Sequence, residues 1–209
     1  MSNCTIVIAS YGDRHWLDLG TQRAAASAFT QGCPVIYVHG LTLHGARNAA
    51  LAQVETEWVV FLDADDELEA GYLDAMATGA ADLRAPAIRY VQPNGRVHRP
   101  YVPKVAGHMH DCTGDCLPDG NWLVVGTMVR TQLLRDVGGW EPFAWSEDWA
   151  AWARCWKAGG AVEAIPAAVY RAYVRPDSRN RAASQAEKTA AHWQIHRAVW
   201  PELYEEEAA

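Results

Sequence analysis

The sequence lacks the apolar segments that place a protein in or across a membrane. No apolar run approaches the roughly 18 residues that are needed to span a bilayer. Residues 1–10 also lack the basic start, the apolar stretch and the cleavage site of a secretory signal. We therefore expect a cytoplasmic protein with no membrane span.

Positive charge is scarce as well. The 209 residues include 18 Lys and Arg against 25 Asp and Glu, for a formal net charge of −7, and contain no long basic run. Proteins that bind nucleic acid through its phosphates usually carry the opposite balance. We therefore do not expect a nucleic-acid partner, although a local basic cluster can still hold a small molecule that carries phosphate.

Cysteine is too sparse for a disulfide framework. The five cysteines are odd in number and mostly scattered, which fits a reducing compartment better than a secreted one. Half of the residues are apolar and 21% are charged, which is the composition of a globular domain and not of a disordered chain. The length suggests one domain, and no internal repeat or linker is visible.

The first third of the chain alternates short apolar runs with helix-forming segments. The apolar runs, typical of strands buried on both faces, are residues 5–10, 34–39 and 58–62. Helix-forming segments at residues 15–30 and 45–54 separate them. Such alternation with short connections predicts parallel strands joined by right-handed crossovers, and therefore an α/β fold.

The later part of the chain is less regular. Five prolines between residues 84 and 121 predict loop or edge strands there. Beyond this stretch, we predict three strands and two helices: strands at residues 121–130, 161–165 and 168–174, and helices at residues 146–158 and 184–199. Ser146 is the predicted N-cap of the first of these helices.

A dense acidic cluster follows the third apolar run, at Asp63, Asp65 and Asp66. Three carboxylates at the end of a buried strand repel one another unless a cation or a strong donor shares the site. Mg²⁺ and Mn²⁺ prefer oxygen ligands and commonly bind one or two carboxylates together with phosphate oxygens. The alternative interpretation is a strand-to-helix turn in which an Asp caps the next helix.

Seven short motifs resemble, in order and spacing, those of family 2 glycosyltransferases with the GT-A fold. They are residues 5–14, 46–51, 59–66, 126–130, 137–140, 146–149 and 165–166. The resemblance implies one domain with a mostly parallel central sheet flanked by helices. It also implies a nucleotide-sugar-binding half at residues 1–92, an acceptor and catalytic half at 93–183, and a C-terminal helix with an acidic tail at 184–209.

The activity that the resemblance implies is inverting transfer of a sugar from a nucleoside diphosphate donor, with a UDP-sugar as the first expectation, in the presence of Mn²⁺ or Mg²⁺. The donor-binding residues that it implies are Ser10, Tyr11, Asp13, Arg14, Arg47, Asp63 and Arg175. Tyr11 would stack on the base, Arg47 would approach the base or the phosphates, and Asp63 would face the ribose. Asp65, with Asp63, would ligate the cation.

The acidic pair Glu147 and Asp148 stands at the head of a predicted helix. In the resembling enzymes such a pair supplies the general base, which here would be Asp148 with Glu147 beside it. Inverting transfer needs a carboxylate that takes the proton of the acceptor hydroxyl. The alternative is that both carboxylates only complement the positive end of the helix dipole.

Arg175 stands where the resembling enzymes often have a histidine that helps to hold the metal or the diphosphate. An arginine cannot bind a metal, but its guanidinium can pair bidentately with a phosphate. The alternative is that Arg175 belongs to a solvated basic loop.

Four groups that suit zinc lie within nine residues, at His108, His110, Cys112 and Cys116. Imidazole and thiolate can close a tetrahedral structural Zn²⁺ site. The spacing is not a standard finger pattern, so a Cys112–Cys116 disulfide and an ordinary loop remain alternatives.

Ten tryptophans are many for this length, and several lie close to the acidic pair. Trp149, Trp152 and Trp156 recur at i, i+3 and i+7, which predicts a stripe buried in the core. Trp145 immediately precedes the acidic helix and can stack on a sugar, and we assign it with Trp122 to the acceptor surface. That surface would come from residues 93–122 and the closing helix, and would take a protein or soluble glycan.

Two other functions compete with this one. A non-catalytic module could bind a nucleotide or glycan on the same fold, but Asp65 and Asp148 are costly to keep in a concave site without a role. A nucleotidyltransferase would need a glycine-rich, basic loop after the first strand, and residues 10–14 supply one Gly and one Arg. The sequence indicates neither the sugar nor the oligomeric state.

Overall fold

The computed structural model describes residues 3–109, 113–114, 116–176, 178 and 183–208. Its strands are β1 (Cys4–Tyr11), β2 (Val35–Gly40), β3 (Trp58–Asp63), β4 (Glu67–Leu68), β5 (Leu83–Val91), β6 (Val105–Gly107), β7 (Thr113–Gly114), β8 (Met128–Arg130) and β9 (Val162–Tyr173). Its helices are α1 (Arg14–Gln22), α2 (Ala24–Phe29), α3 (Leu43–Leu51), α4 (Tyr72–Met76), α5 (Thr131–Asp136), α6 (Glu147–Lys157) and α7 (Gln185–Val199). Two 3₁₀ helices cover Leu117–Asp119 and Pro201–Ala208.

Within the described ranges the strands form one mixed sheet in the order β2-β1-β3-β8-β5-β9-β6-β7, and β4 pairs with β9. The longest ladders are parallel: β1 with β2, β1 with β3, and β5 with β9. The short strand β8 runs antiparallel between β3 and β5 and joins the two parallel units. The α/β fold with a largely parallel central sheet is thereby confirmed, and the parallel strands β1 and β3 end side by side at one edge.

The core lies between this sheet and the helices, and the predicted tryptophan stripe is part of it. Trp149, Trp152 and Trp156 of α6 are at most 1% exposed. Trp140 joins them through edge-to-face contacts with Phe61 and Trp152, whose ring centroids lie 4.8 and 5.3 Å away. This packing fixes α6, and with it the acidic pair at its N-terminal end, against the strand that ends in Asp63.

Several predicted elements need correction. Residues 83–91 form the long strand β5 inside the sheet, where we expected loop or edge strands, whereas β7 in the same segment does lie at the edge of the sheet. Pro86 is tolerated in β5 at a shift in register between Pro86 and Ala87. The strand predicted at residues 121–130 is reduced to β8, and the two strands predicted at 161–174 are the single strand β9. The helix predicted at 15–30 is interrupted at Arg23, which ends α1 and precedes α2.

The two later helices begin differently from each other. Ser146 precedes α6 as predicted, but its side chain makes no capping bond, and its backbone is left-handed with φ of 55°. A non-glycine residue adopts that conformation only at a cost, and such residues cluster at functional sites. Ser184, in contrast, caps α7 in a reciprocal capping box with Glu187.

None of the helices in the described part of the chain is both long enough and apolar enough to cross a membrane.

Candidate active site

The acidic cluster lies at the carboxyl end of β3, as the sequence predicts. Asp63, Asp65 and Asp66 each offer one carboxylate oxygen, and these three atoms lie within 4.8 Å of one another. The Asp63 backbone N–H also donates to the Tyr170 hydroxyl at 3.3 Å, which ties the end of β3 to β9. Three carboxylates are thus gathered in one turn.

Asp66 is occupied by protein donors. The Tyr170 hydroxyl donates to Oδ2 and the Tyr173 backbone N–H donates to Oδ1, both at 2.8 Å. Burial, followed by the charges of Asp65 and Asp63, raises the pKa of Asp66 well above its ordinary value. Asp66 therefore anchors the turn to β9 and leaves Asp63 and Asp65 as the carboxylates that can hold a cation.

Asp65 faces two arginines. The Nε atom of Arg175 lies 2.9 Å from Asp65 Oδ2, and its guanidinium stacks on Trp16 at 4.3 Å. That nitrogen makes no directed hydrogen bond within the described residues, so the contact is an ion pair. Arg23 donates to the Asp65 backbone carbonyl at 2.8 Å and stacks on Tyr173 at 4.1 Å.

The donor set suits a divalent cation. Burial, and then the charge of Asp63, raises the pKa of Asp65, although Arg175 and Arg23 oppose this rise. A cation shared by Asp63 and Asp65 would relieve that repulsion, and carboxylate oxygens are the ligands that Mg²⁺ and Mn²⁺ prefer. The residues present therefore fit such an ion.

A cavity of about 380 Å³ lies against the ends of β1 and β3, where parallel-sheet proteins bind ligands. Its lining includes Ser10, Tyr11, Trp16, Asp65 and Arg175. The Ser10 hydroxyl is buried and lies 2.9 Å from His39 Nδ1 and 3.2 Å from the Tyr37 hydroxyl. The chain thus brings most of the predicted donor-binding residues to one concavity.

Asp13 and Arg14 lie apart from that lining. Asp13 is exposed at the N-cap of α1 and makes no side-chain capping bond. Arg14 is 86% exposed in its side chain and lies 3.9 Å from Asp18 on the same helix. Their assignment to donor binding stays a prediction.

Arg47 is buried, with 2% of its surface exposed, and holds two carboxylates that come from distant parts of the chain. Its Nη2 donates to Asp63 Oδ1 at 2.8 Å and its Nη1 to Glu147 Oε1 at 3.1 Å, while its guanidinium stacks on Trp140 at 4.2 Å. Burial alone would lower the pKa of Arg47, but Asp63 and Glu147 outweigh it and the pKa rises. The structure places Arg47 as a link between the aspartate turn and helix α6.

Asp148 has a different environment from its neighbour Glu147. Its Oδ1 accepts from the Asn121 amide at 3.0 Å and from the Trp149 backbone N–H at 2.9 Å. Burial, followed by the charge of Glu147, raises the pKa of Asp148 to about 7, and Arg47 partly opposes the rise. A carboxylate with that pKa is poised to exchange a proton near neutral pH.

A second cavity, of about 320 Å³, contains Asp148 and adjoins the first. Asp63 and Glu147 line both cavities. The two cavities therefore adjoin at Asp63 and Glu147. Trp122 lines the second cavity, and its Nε1 donates to the Cys116 carbonyl at 3.0 Å. Its assignment to the acceptor surface stays a prediction.

Trp145 lies elsewhere. It lines a third cavity, between the start of α6 and helix α7, and is half-buried. Asn121 and Ser146 line both the second and the third cavity. The role of Trp145 in acceptor binding stays a prediction.

Two of the four predicted zinc ligands, His110 and Cys112, lie outside the described residues. His108 Nδ1 lies 3.1 Å from the Gly159 carbonyl, and Cys116 is disulfide-bonded. Cys4, Cys33 and Cys155 are free thiols. The zinc site stays a prediction, and the state of Cys116 favours the disulfide alternative.

Four side chains that contact residues of the candidate site were not foreseen from the sequence: Trp16, Arg23, Asn121 and Tyr170. Arg23 and Trp16 lie within the segment for which the sequence predicts only a helix, at residues 15–30. Asn121 precedes a short apolar run and carries no local signal of its contact with Asp148. The sequence predicts Tyr170 only as a residue of a strand. The pairing of β9 with β4 and β5 places its hydroxyl within hydrogen-bonding distance of Asp66.

Residues 58–194, well over half of the chain, match the family described as glycosyl transferase family group 2. No significant match was found among curated protein sequences.

The fold is similar to that of TarS from S. aureus. TarS 1–349 in complex with UDP-GlcNAc aligns with a TM-score of 0.66 at 17% identity, over 98% of this chain and 67% of that one. TarS 1–349 in complex with UDP aligns with a TM-score of 0.63 at 16% identity, over 98% of this chain and 66% of that one. A longer TarS chain aligns with a TM-score of 0.60 at 15% identity, over 98% of this chain and 40% of that one. The chain thus spans about two thirds of the shorter TarS chains, and likeness at this identity concerns the fold.

Proposed function

The chain belongs to glycosyl transferase family group 2, and on that premise we propose that it transfers a sugar from a UDP-sugar to an acceptor hydroxyl with inversion at the anomeric carbon. The donor nucleotide occupies the cavity lined by Ser10, Tyr11 and Arg175, and the acceptor enters the cavity that contains Asp148.

The observation that carries this proposal is the position of Asp148 together with its raised pKa. It lies in a cavity that adjoins the nucleotide-sized one through Asp63 and Glu147. Its raised pKa of about 7 suits a general base that works near neutral pH. A structural helix-capping carboxylate would instead have a lowered pKa, because the helix N-terminus stabilises its charged form.

The difference between Glu147 and Asp148 supports the choice of base. Glu147 accepts from the buried guanidinium of Arg47. Asp148 accepts from uncharged donors, the Asn121 amide and a backbone N–H. Asp148 thus keeps the basicity that proton transfer needs, while Glu147 fixes the start of α6.

In the reaction, the Asp148 carboxylate takes the proton of the acceptor hydroxyl as that oxygen attacks the anomeric carbon. The bond between that carbon and the diphosphate oxygen breaks on the opposite face, its electron pair leaves with UDP, and the configuration inverts. Arg175 lines the nucleotide cavity, where its guanidinium can pair with the diphosphate. Arg47 keeps Asp63 and Glu147 in a fixed relation during this step.

Asp65 and Asp63 would hold the divalent cation. When bound, Mg²⁺ or Mn²⁺ would neutralise negative charge on the leaving diphosphate. Arg175 lies 2.9 Å from Asp65 Oδ2 and lines the same cavity, so its guanidinium would stand beside the carboxylate that holds the ion.

UDP is the proposed nucleotide because two of the similar TarS structures are complexes with UDP and UDP-GlcNAc. The test is a panel of UDP-, GDP- and dTDP-sugars incubated with the protein and Mn²⁺, with release of free nucleotide as the readout. Consumption of a UDP-sugar that requires both the cation and Asp148 would support the proposal. Binding of UDP without any turnover, with donor hydrolysis and transfer both absent, would contradict it.

That last outcome would favour the competing function, a binding module. One observation favours it: both cation-ligating carboxylates already have arginine partners, Asp63 with Arg47 and Asp65 with Arg175. In such a module the nucleotide would bind equally well with and without Mn²⁺.

A further inference from the structure

The third cavity, of about 480 Å³, opens between the start of α6 and helix α7. This volume is within the range of about 300–1,000 Å³ that small-molecule sites occupy. Its lining residues are Asn121, Trp145, Ser146, Trp149, Gln185, Lys188, Thr189, His192 and Trp193.

Helix α7 presents one face to this cavity and another to the core. Its cavity residues recur at i, i+3, i+4, i+7 and i+8 from Gln185, which is one side of a helix. Ala191, Ile195 and Val199 are buried on the core side and fix the helix in this orientation. The cavity face is thus held in place by the packing of the adjoining face of the helix.

The chemistry of that face suits a carbohydrate. Trp193 is 48% exposed, which is unusual for a side chain of that size, and His192 stacks on Trp149 with ring centroids 4.6 Å apart. The electron-rich face of an aromatic ring stacks on the C–H groups of a sugar. Gln185, Lys188 and Thr189 add hydrogen-bonding groups that suit hydroxyls.

The cavity adjoins the one that contains Asp148, the proposed general base. Asn121 and Ser146 line both, and the Asn121 amide donates to Asp148 at 3.0 Å. The third cavity therefore lies next to the one that contains Asp148, with Asn121 and Ser146 between them.

We propose that this cavity binds a sugar ring of the acceptor, next to the ring whose hydroxyl reacts, and that Trp193 is its stacking platform. The acceptor is then a glycan of at least two rings. This inference rests on the proposed function, because Asp148 must act on the neighbouring ring for the two cavities to share one ligand.

The test is binding of the full chain to an array of immobilised oligosaccharides, with saturating UDP and Mn²⁺ in solution. Wild-type protein is compared with Trp193→Ala, Trp193→Phe and Gln194→Ala, the last being an exposed neighbour that does not line the cavity. We expect Trp193→Ala to lose about tenfold in affinity for the bound glycan, Trp193→Phe to lose less, and Gln194→Ala to bind normally. UDP binding should be equal in all four proteins, which shows that each is folded.

Two results would overturn the inference: no saturable glycan binding by the wild type, or equal binding by Trp193→Ala. A change of oligomeric state in Trp193→Ala, seen by light scattering, would also overturn it and indicate that Trp193 contacts a second copy of the chain. Glycan binding that depends on Trp193, in a protein that turns over no UDP-sugar, would instead contradict the proposed function and leave the sugar site standing.

Discussion

Arg47 donates to Glu147 across 100 residues of sequence, at 3.1 Å, and the same guanidinium holds Asp63 at 2.8 Å. One buried cation thus joins the turn that can bind a divalent ion to the helix that carries the proposed base. Burial, followed by the charge of Glu147, raises the pKa of the adjacent Asp148, and Arg47 opposes this rise only in part. Arg47 thus donates to one of two neighbouring acids and leaves the other with a raised pKa.

Removal of Arg47 should destabilise the fold. Arg47→Met leaves Glu147 buried without this cation, and breaking a buried ion pair on one side typically costs about 3–5 kcal/mol. Urea denaturation followed by tryptophan fluorescence measures this loss. Arg14→Met is the matched control, since Arg14 is exposed, and it should unfold like the wild type. An unchanged unfolding midpoint for Arg47→Met would contradict the structural role.

Asp65 should make nucleotide binding depend on the cation. In Asp65→Ala, calorimetry with UDP should show weak binding that Mn²⁺ no longer strengthens, because the remaining carboxylates are held by Arg47 and by β9. Asp74→Ala, an exposed carboxylate on α4, is the control and should behave like the wild type. Undiminished Mn²⁺-dependent affinity in Asp65→Ala would rule out the proposed ligand.

Arg175 should recognise the phosphates and not the base. Arg175→Gln should weaken UDP binding by about tenfold or more, since a hydrogen bond to a charged group contributes about 1.5–3 kcal/mol. Its affinity for uridine should be unchanged. Equal loss for both ligands would indicate that Arg175 acts by packing on Trp16.

The pH dependence of the reaction should follow Asp148. The base must be ionised to accept a proton, so kcat/KM should fall as the pH drops through about 7 and should level off above it. In Asp148→Asn this acid limb should disappear from the residual activity.

The stability of the fold should also depend on Asp148. Because the pKa of Asp148 is higher in the folded than in the unfolded chain, its ionisation lowers the free energy of unfolding as the pH rises from its ordinary pKa towards 7. Asp148→Asn should therefore unfold at higher urea concentration than the wild type above pH 7.

The sequence predicts those parts of the structure that depend on local pattern. The apolar runs that become β1, β2 and β3 place Asp63 and Asp65 at the sheet edge, and the spacing of Trp149, Trp152 and Trp156 predicts the buried face of α6. These features require only periodicity and the rule that parallel strands end together.

The parts that the sequence does not predict depend on pairings between distant segments. Pro86 argues against a strand, and only the register of β5 against β9 shows how the missing N–H is tolerated. The contact of Asn121 with Asp148 spans 27 residues and that of Tyr170 with Asp66 spans 104. Polar side chains of this kind carry no periodic signal, so their roles appear only in the folded chain.

The central claim is that Asp148 removes the acceptor proton while other groups hold the donor. The most direct test compares UDP affinity and the rate of UDP-sugar consumption for the wild type, Asp148→Asn and Glu147→Gln. We expect Asp148→Asn to bind UDP like the wild type and to turn over at least about 10²-fold more slowly, with a milder loss in Glu147→Gln. Wild-type turnover by Asp148→Asn, or a greater loss in Glu147→Gln, would contradict it.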